Sequence, residues 1–250
     1  GWRAGFLVMA ALVGTIPPVV VWFLVRDRPA DLGLAPYGGE ALETTAPSAR
    51  EGLGAAIRQP TLWTIGVAFF LASWPCYAAT KHIILYLRDL GVAPVPAAGT
   101  LSEMLLFSTI GRLLFGVLWD ASPPRAILLV DCVLLAAGAL LLLAAENPVV
   151  RAIYPFVFGL GYGGLMPLIP LTVVAYFGRR TMGAVLGFCK LFYDAAAATA
   201  PLLTAYLYDR SGSYAFAFAL NAVLPCLALA LVVVALRPPA GQVDETRAAA

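Results

Sequence analysis

Charged side chains are scarce in this sequence of 250 residues, where they make up 12% of the positions. Soluble domains carry about twice that share, roughly 25%. The chain has one histidine, which excludes a metal site built on several imidazoles. Its formal net charge is only +2 and its basic residues are dispersed, so no nucleic-acid partner is predicted. These shortages exclude a disordered segment and an ordinary soluble enzyme.

Catalytic signatures are also missing. The four cysteines stand alone inside apolar runs, which predicts packing residues: Cys76, Cys132, Cys189 and Cys226. Neither His-Glu-x-x-His nor Gly-x-Ser-x-Gly occurs. Gly159, Gly161 and Gly164 match G-x-G-x-x-G, but no separate strand precedes them and an apolar run follows. We therefore predict no enzyme activity, no cofactor and no metal.

Apolar residues are abundant, at 61% of the chain, and they are gathered into long runs. A helix needs about 20 apolar residues to cross a bilayer. Seven runs qualify, over residues 4–25, 60–87, 96–119, 126–145, 151–177, 182–207 and 214–236. Because the runs are continuous and do not alternate, they predict helices and not barrel strands. The predicted fold class is an all-α membrane protein with seven transmembrane helices.

Short gaps with helix breakers separate most of the runs. The breakers are Gly91 and Pro94, Pro123 and Pro124, Asn147 and Pro148, Gly178, and Gly212. One longer, polar gap predicts a surface linker. The expected organisation is a helix over 1–25, a linker over 26–59, a six-helix bundle over 60–236 and a tail over 237–250. Since the chain begins with Gly1 and its first run lacks a cleavage site, we expect a fragment that starts with a membrane span.

Basic residues are unevenly divided between the two sides of the predicted spans. One side holds nine: Arg26, Arg28, Arg50, Arg58, Arg125, Arg179, Arg180, Arg237 and Arg247. The other holds four: Arg3, Arg88, Arg151 and Arg210. The richer side is expected to be cytoplasmic. This predicts a multi-pass protein of the plasma or bacterial inner membrane, with its N-terminus outside and its linker and tail inside.

Ionisable residues within the spans are candidates for function. Lys190 lies about 15 Å beyond Arg180 along a helix, near the bilayer midplane, and Asp194 follows one turn later. The two form either a neutralising pair that permits insertion or part of an anion site facing water. Arg112, about 12 Å before Asp120, is either an anchor to the loop or a ligand contact. His82 is either a polar residue at the outer mouth or a pH-linked group.

Two further acidic residues and two sets of glycines within the spans have structural interpretations. Asp131 is predicted to pair with Arg112 or with loop backbone, and Glu103 to meet water. The glycine-rich run over 154–177 predicts a helix that bends and approaches a neighbour closely. Gly183 and Gly187 have the small-xxx-small spacing of close helix packing.

The segment from Gly111 to Arg125 carries a family resemblance. It resembles the second copy of the cytoplasmic loop signature of the major facilitator superfamily, G-x-x-x-D-[RK]-x-G-[RK]-[RK]. Gly116, Asp120 and Arg125 match this structural motif, whereas Ala121, Pro123 and Pro124 depart from it. Residues 1–3 and 26–34 look like the lead into the sixth helix and the start of the central loop. Residues 82–91, 176–180 and 209–214 are similar to the oxalate–formate antiporter and monocarboxylate porter branch.

The resemblance implies helices six to twelve of a twelve-helix carrier, so that the first five would be missing. It implies two inverted three-helix repeats, over 60–145 and 151–236, and a midplane site between two six-helix halves. In the carboxylate-carrying branch, basic residues on the eighth and eleventh helices bind the anion. Arg112 and Lys190 fall on those helices.

We therefore expect a fragment of a secondary transporter for a small mono- or dicarboxylate, working by alternating access. The predicted substrate-binding residues are Lys190, Arg112, Asp194 and His82, with Asp194 or His82 as candidates for a coupling proton. The expected partners are the anion, the bilayer and the missing N-terminal helices.

Two alternatives stay open. One is a truncated half-carrier that acts only as a membrane binding partner. The other is a retinal-binding photoreceptor, although Lys190 lies in the sixth span rather than the seventh, and the 34-residue linker fits poorly.

Overall fold

The computed structural model describes residues 2–24, 49–179 and 181–236, and its elements within them are all α-helices. The chain divides into two compact units, Gly1–Ala46 and Pro47–Ala250. Most of the predicted linker and the predicted tail, over 237–250, lie outside the described residues. The all-α fold class is confirmed.

The first unit contains one described helix, α1, over Trp2–Leu24. Its stretch Arg3–Phe23 is long and apolar enough to cross a membrane. Two prolines, Pro17 and Pro18, lie inside it.

The second unit contains seven helices. They are α2 (Ala49–Ile57), α3 (Pro60–Asp89), α4 (Pro94–Ala121), α5 (Pro124–Leu143), α6 (Pro148–Phe177), α7 (Met182–Ser211) and α8 (Ala215–Ala235). The short helix α2 falls inside the predicted linker and was not expected. The other six correspond to the six remaining apolar runs.

The helix ends follow from the local sequence. Prolines stand in the first turns of α3, α4, α5 and α6, where the missing N–H group costs nothing. The Asn147 side chain caps α6 by accepting a hydrogen bond from the Val149 N–H at 2.9 Å. Gly178 and Gly212 end α6 and α7 with positive φ angles of 79° and 67°, which glycine adopts without a steric penalty.

Six of the described helices are long and apolar enough to span a membrane, namely α1, α3, α4, α5, α6 and α8. The remaining predicted span is α7, which has 30 residues. It is less apolar because Lys190 and Asp194 lie in its interior. The most polar of the long helices is therefore the one that holds the predicted anion site.

Helix pairing in the second unit follows a regular pattern. The most extensive pairing is α4 with α6, and the next is α3 with α7. The pairings of α5 with α6 and of α3 with α8 are also extensive. When α3, α4 and α5 are exchanged for α6, α7 and α8 in that order, the pair α4–α6 becomes α7–α3. The pair α5–α6 becomes α8–α3 in the same way. Two repeats related by a twofold axis produce this pattern.

Glycines on α6 allow its neighbours to approach closely. A Cβ atom at Gly163 would collide with the Ser108 carbonyl and the Arg112 backbone nitrogen, and one at Gly159 with the Met104 carbonyl. On α4, Gly111 meets the Leu160 carbonyl in the same way. The close approach predicted for this glycine-rich helix is confirmed.

Candidate functional site

Lys190 and Asp194 lie one turn apart on α7 and form an ion pair. The Lys190 Nζ atom is 3.1 Å from Asp194 Oδ1, and the two side chains are 51% and 58% exposed. The ammonium also lies 5.1 Å from the centre of the Tyr193 ring, within cation–π range. The pairing predicted from the i, i+4 spacing is therefore present.

The same face of α7 is open along much of its length. Gly183 and Gly187 lie on this face, and a Cβ atom at either would meet nothing within 4 Å. The prediction that these two glycines pack closely against a neighbour is wrong for the described bundle. Their spacing places them on the face that carries Lys190, which the bundle leaves uncovered.

Arg112 occupies an exposed position on α4. Its backbone is held where α4 approaches Gly163 of α6. Its guanidinium makes no hydrogen bond or ion pair with any of the described residues, although it acts electrostatically on Tyr162. The prediction of an anchor to the nearby loop finds no support in these contacts.

Two tyrosines lie within electrostatic range of Arg112 or of the α7 ion pair. The charge of Arg112 acts on Tyr162 of α6, and Tyr162 and Asp194 both act electrostatically on Tyr77 of α3. The rings of Tyr77 and Tyr193 meet edge to face, with centroids 5.4 Å apart. We call Arg112, Tyr162, Tyr77, Lys190 and Asp194 the polar surface. It draws on four helices.

The sequence analysis predicted no role for Tyr77, Tyr162 or Tyr193. Tyr77 and Thr80 lie about one turn apart on α3. A polar pair at helical spacing inside an apolar run was the available signal.

His82 lies away from the polar surface. Its Nε2 atom is 3.1 Å from the Pro201 carbonyl oxygen, and its Nδ1 atom is 3.3 Å from the Tyr214 hydroxyl. Since a carbonyl only accepts, Nε2 carries the hydrogen. Pro201 is eleven residues past Lys190, which corresponds to about 16 Å along α7. The structure therefore does not bring His82 to Lys190.

The hydroxyl that faces His82 stays protonated. Burial raises the pKa of Tyr214, and the neighbouring Tyr208, Asp89 and Asp209 act in the same direction. A neutral Tyr214 can donate its hydroxyl hydrogen to Nδ1 of His82. The histidine is thus fully hydrogen-bonded between α3, α7 and the turn before α8.

In the loop motif of Gly116, Asp120 and Arg125, the arginine contacts a different helix. Arg125 donates through Nη2 to the Val233 carbonyl oxygen of α8. Asp120 is exposed at the end of α4, and the described residues contain no ion pair between it and Arg125. Gly116 is half-buried on α4. Arg125 therefore joins α5 to α8 across the bundle.

The remaining charged residues are well separated. Lys81 and Glu103 are exposed. Asp131 is buried and pairs with neither Arg112 nor loop backbone, so that prediction is wrong. Within the described ranges, no group of three or more histidine, cysteine, aspartate or glutamate side chains is placed to hold a metal.

Long apolar helices with a charged surface on one open side define a multi-pass membrane protein. The family model of the Major Facilitator Superfamily matches residues 1–197 and, in a second match, residues 104–250. The chain belongs to the Major Facilitator Superfamily, a family of membrane transporters. The resemblance found in the loop motif is confirmed.

Individual relatives agree with this assignment. The chain is 28% identical over 210 residues to the membrane sensor protein UhpC of Salmonella typhimurium, covering 77% of this chain and 47% of that protein. It is 26% identical over 220 residues to monocarboxylate transporter 13 of Bos taurus, covering 87% of this chain and 49% of the relative. The rat transporter of the same name is 28% identical over 154 residues, covering 61% and 36%. The chain spans about half the length of the first two relatives or less.

Proposed function

We propose that the chain is part of a secondary transporter that moves a small organic anion, a mono- or dicarboxylate, by alternating access. Lys190 holds one carboxylate of the anion, and Arg112 supplies a second contact whose planar guanidinium suits a carboxylate. The similarity to a protein named monocarboxylate transporter 13 supports this substrate class.

The observation that carries the proposal is the charge on the polar surface. Lys190 and Arg112 contribute two positive charges and Asp194 one negative charge, which leaves one positive charge uncompensated. Arg112 has no hydrogen-bond or ion-pair partner among the described residues. A cation in a membrane-spanning helix is costly without a counter-charge. A single carboxylate from solution neutralises the one uncompensated charge of the polar surface.

Asp194 competes with the substrate for Lys190. When the site is empty, the ion pair at 3.1 Å neutralises the lysine, which lowers the cost of reorienting the empty transporter. When an anion binds, Lys190 exchanges one carboxylate partner for another. Coupling to a proton at Asp194 belongs to this scheme, whereas His82 is engaged elsewhere.

The open faces of α4 and α7 fit a second half-bundle, which the missing N-terminal helices supply. We place residues 60–236 in the C-terminal half of such a carrier, in the plasma or bacterial inner membrane. The N-terminus lies outside, and the 26–59 linker and the tail lie in the cytoplasm. The site then sits near the bilayer midplane, between the halves.

The test is carboxylate uptake by the full-length carrier with Lys190→Gln. Loss of a charge-assisted contact worth about 1.5–3 kcal/mol predicts a rise in KM of roughly 10- to 100-fold. Arg112→Gln is expected to weaken uptake in the same direction. Lys81→Gln, which removes an exposed lysine of α3, is the matched control. Undiminished carboxylate transport by the Lys190 variant would end the anion-site proposal.

A second candidate function is sensing, in which the anion binds without being transported. The similarity to a protein named a membrane sensor supports this second candidate. Both candidates use Lys190 for binding, but only the transporter moves the anion. Anion binding without uptake by reconstituted full-length protein identifies the sensor. Reconstitution with and without the missing helices separates both from an inert half-carrier.

A further inference from the structure

Asp131, on α5, is a buried acid. It is 2% exposed, and its Oδ1 atom has no hydrogen-bond partner among the described residues. Among the described residues, no lysine or arginine forms an ion pair with it. It lies against Gly164 of α6, at a point where a Cβ atom would collide with the carboxylate oxygen.

The described residues that line the cavity beside Asp131 are mostly apolar. The thiols of Cys76 on α3 and Cys132 on α5 lie within electrostatic range of its carboxyl group. The Phe115 ring of α4 packs against the same glycine of α6. An ionised carboxylate in such surroundings carries a large desolvation penalty that nothing here offsets.

A small cavity adjoins the carboxyl group. Its volume is about 20 Å³, and Asp131 and Thr172 line it together with apolar side chains of α3, α6 and α8. The Thr172 hydroxyl is also buried and without a hydrogen-bond partner. One water molecule needs about 10–15 Å³, so the cavity is large enough for one. A metal cation needs about six oxygen ligands, which this wall does not provide.

We propose that Asp131 is a proton-binding site of the bundle. In the arrangement described here its carboxyl group is protonated, and a water molecule in the adjoining cavity exchanges the proton. When the helices separate and more water enters, the carboxyl O–H bond breaks, the proton passes to water as hydronium, and a carboxylate stays behind. This site is separate from the polar surface and does not depend on which solute is carried.

Infrared spectroscopy of the purified protein in lipid nanodiscs tests the protonation state directly. At neutral pH we expect the carbonyl band of a protonated carboxylic acid, absent in Asp131→Asn. Six other acidic residues of the described ranges are exposed: Asp89, Glu103, Asp120, Glu146, Asp194 and Asp209. If the asparagine variant fails to fold, carbon-13 labelling of aspartate in the wild type must shift the band. Absence of the band from the wild type at neutral pH would overturn the proposal.

The pH dependence of unfolding gives an independent measurement. The folded protein holds a proton that the unfolded chain releases, so the folded state loses stability as pH rises. The unfolding constant should rise about tenfold per pH unit more steeply in wild type than in Asp131→Asn. The control Glu103→Gln should keep the wild-type slope, since Glu103 is exposed on α4. Equal slopes for wild type and Asp131→Asn would contradict a proton held at this position.

Discussion

At the scale of single residues, the Lys190–Asp194 pair is better suited to exchange than to stability. The two side chains are about half exposed, and exposed ion pairs contribute roughly 0–1 kcal/mol. Lysine also precedes aspartate, the less favourable order for an i, i+4 pair on a helix. A pair this weak can open for a competing carboxylate at little cost.

Removing the competitor should therefore strengthen substrate binding. In Asp194→Asn of the full-length carrier, Lys190 is free of its partner, and we expect KM for the anion to fall by up to about fivefold. Net uptake should slow more than anion exchange, because the empty transporter then reorients with an unneutralised lysine. Initial rates of uptake and of exchange, measured against anion concentration, check both effects.

Glu103→Gln controls for the loss of a negative charge elsewhere, since Glu103 is exposed on α4. It should leave KM and the ratio of exchange to net uptake unchanged. A higher KM in Asp194→Asn would instead mean that the carboxylate positions Lys190 for the anion.

Part of the site was predictable from local spacing, and part was not. The positions of Lys190 and Asp194 four residues apart predicted their pairing, because neighbours on a helix face follow from periodicity. The electrostatic interactions of Tyr77 and Tyr162 with the charged residues run between different helices, so local spacing does not predict these interactions. The isolation of Asp131 was missed for the same reason, since its surroundings depend on which helix faces α5.

At the scale of the helices, glycine spacing determines how closely α4 and α6 approach. The backbone of α6 at Gly163 touches α4 at Ser108 and at the nitrogen of Arg112. The position of Arg112 on the polar surface thus depends on glycine at position 163 of the neighbouring helix.

Gly163→Ala is expected to push the two helices apart. Overpacking of this kind costs about 1–3 kcal/mol, so the melting temperature in mild detergent should fall. Gly187→Ala, on the open face of α7, meets no atom within 4 Å and should stabilise its helix by up to about 1 kcal/mol. Equal melting temperatures for the two variants would contradict the tight contact at Gly163.

Helix boundaries were predicted with small, systematic errors. The predicted starts at 96, 126 and 151 fall two or three residues late, because each proline before them belongs to the first turn of its helix. The helix α2 escaped prediction since its nine residues are too few to produce a long apolar run. Long apolar runs predict that a helix is present, whereas capping residues and prolines determine where it begins and ends.

At the scale of the whole molecule, the pairing of α4 with α6 and of α3 with α7 leaves the polar surface uncovered within the second unit. The apolar runs of the sequence predicted the long helices but not these partners. The expectation of two repeats came from the family resemblance, and the helix contacts match that expectation. The orientation of the bundle in the membrane rests on charge alone.

That orientation yields a direct test on intact cells. Residues in the turns at the ends of the bundle should be reachable from opposite sides of the membrane, with Asp89 outside and Ala121 in the cytoplasm, because basic residues favour the cytoplasmic side. Both positions are exposed, whereas Cys76, Cys132 and Cys189 are buried. In a Cys226→Ala background, a membrane-impermeant thiol reagent should label Asp89→Cys in intact cells and Ala121→Cys only after permeabilisation. Labelling in the reverse order would invert the bundle and place the linker outside the cell.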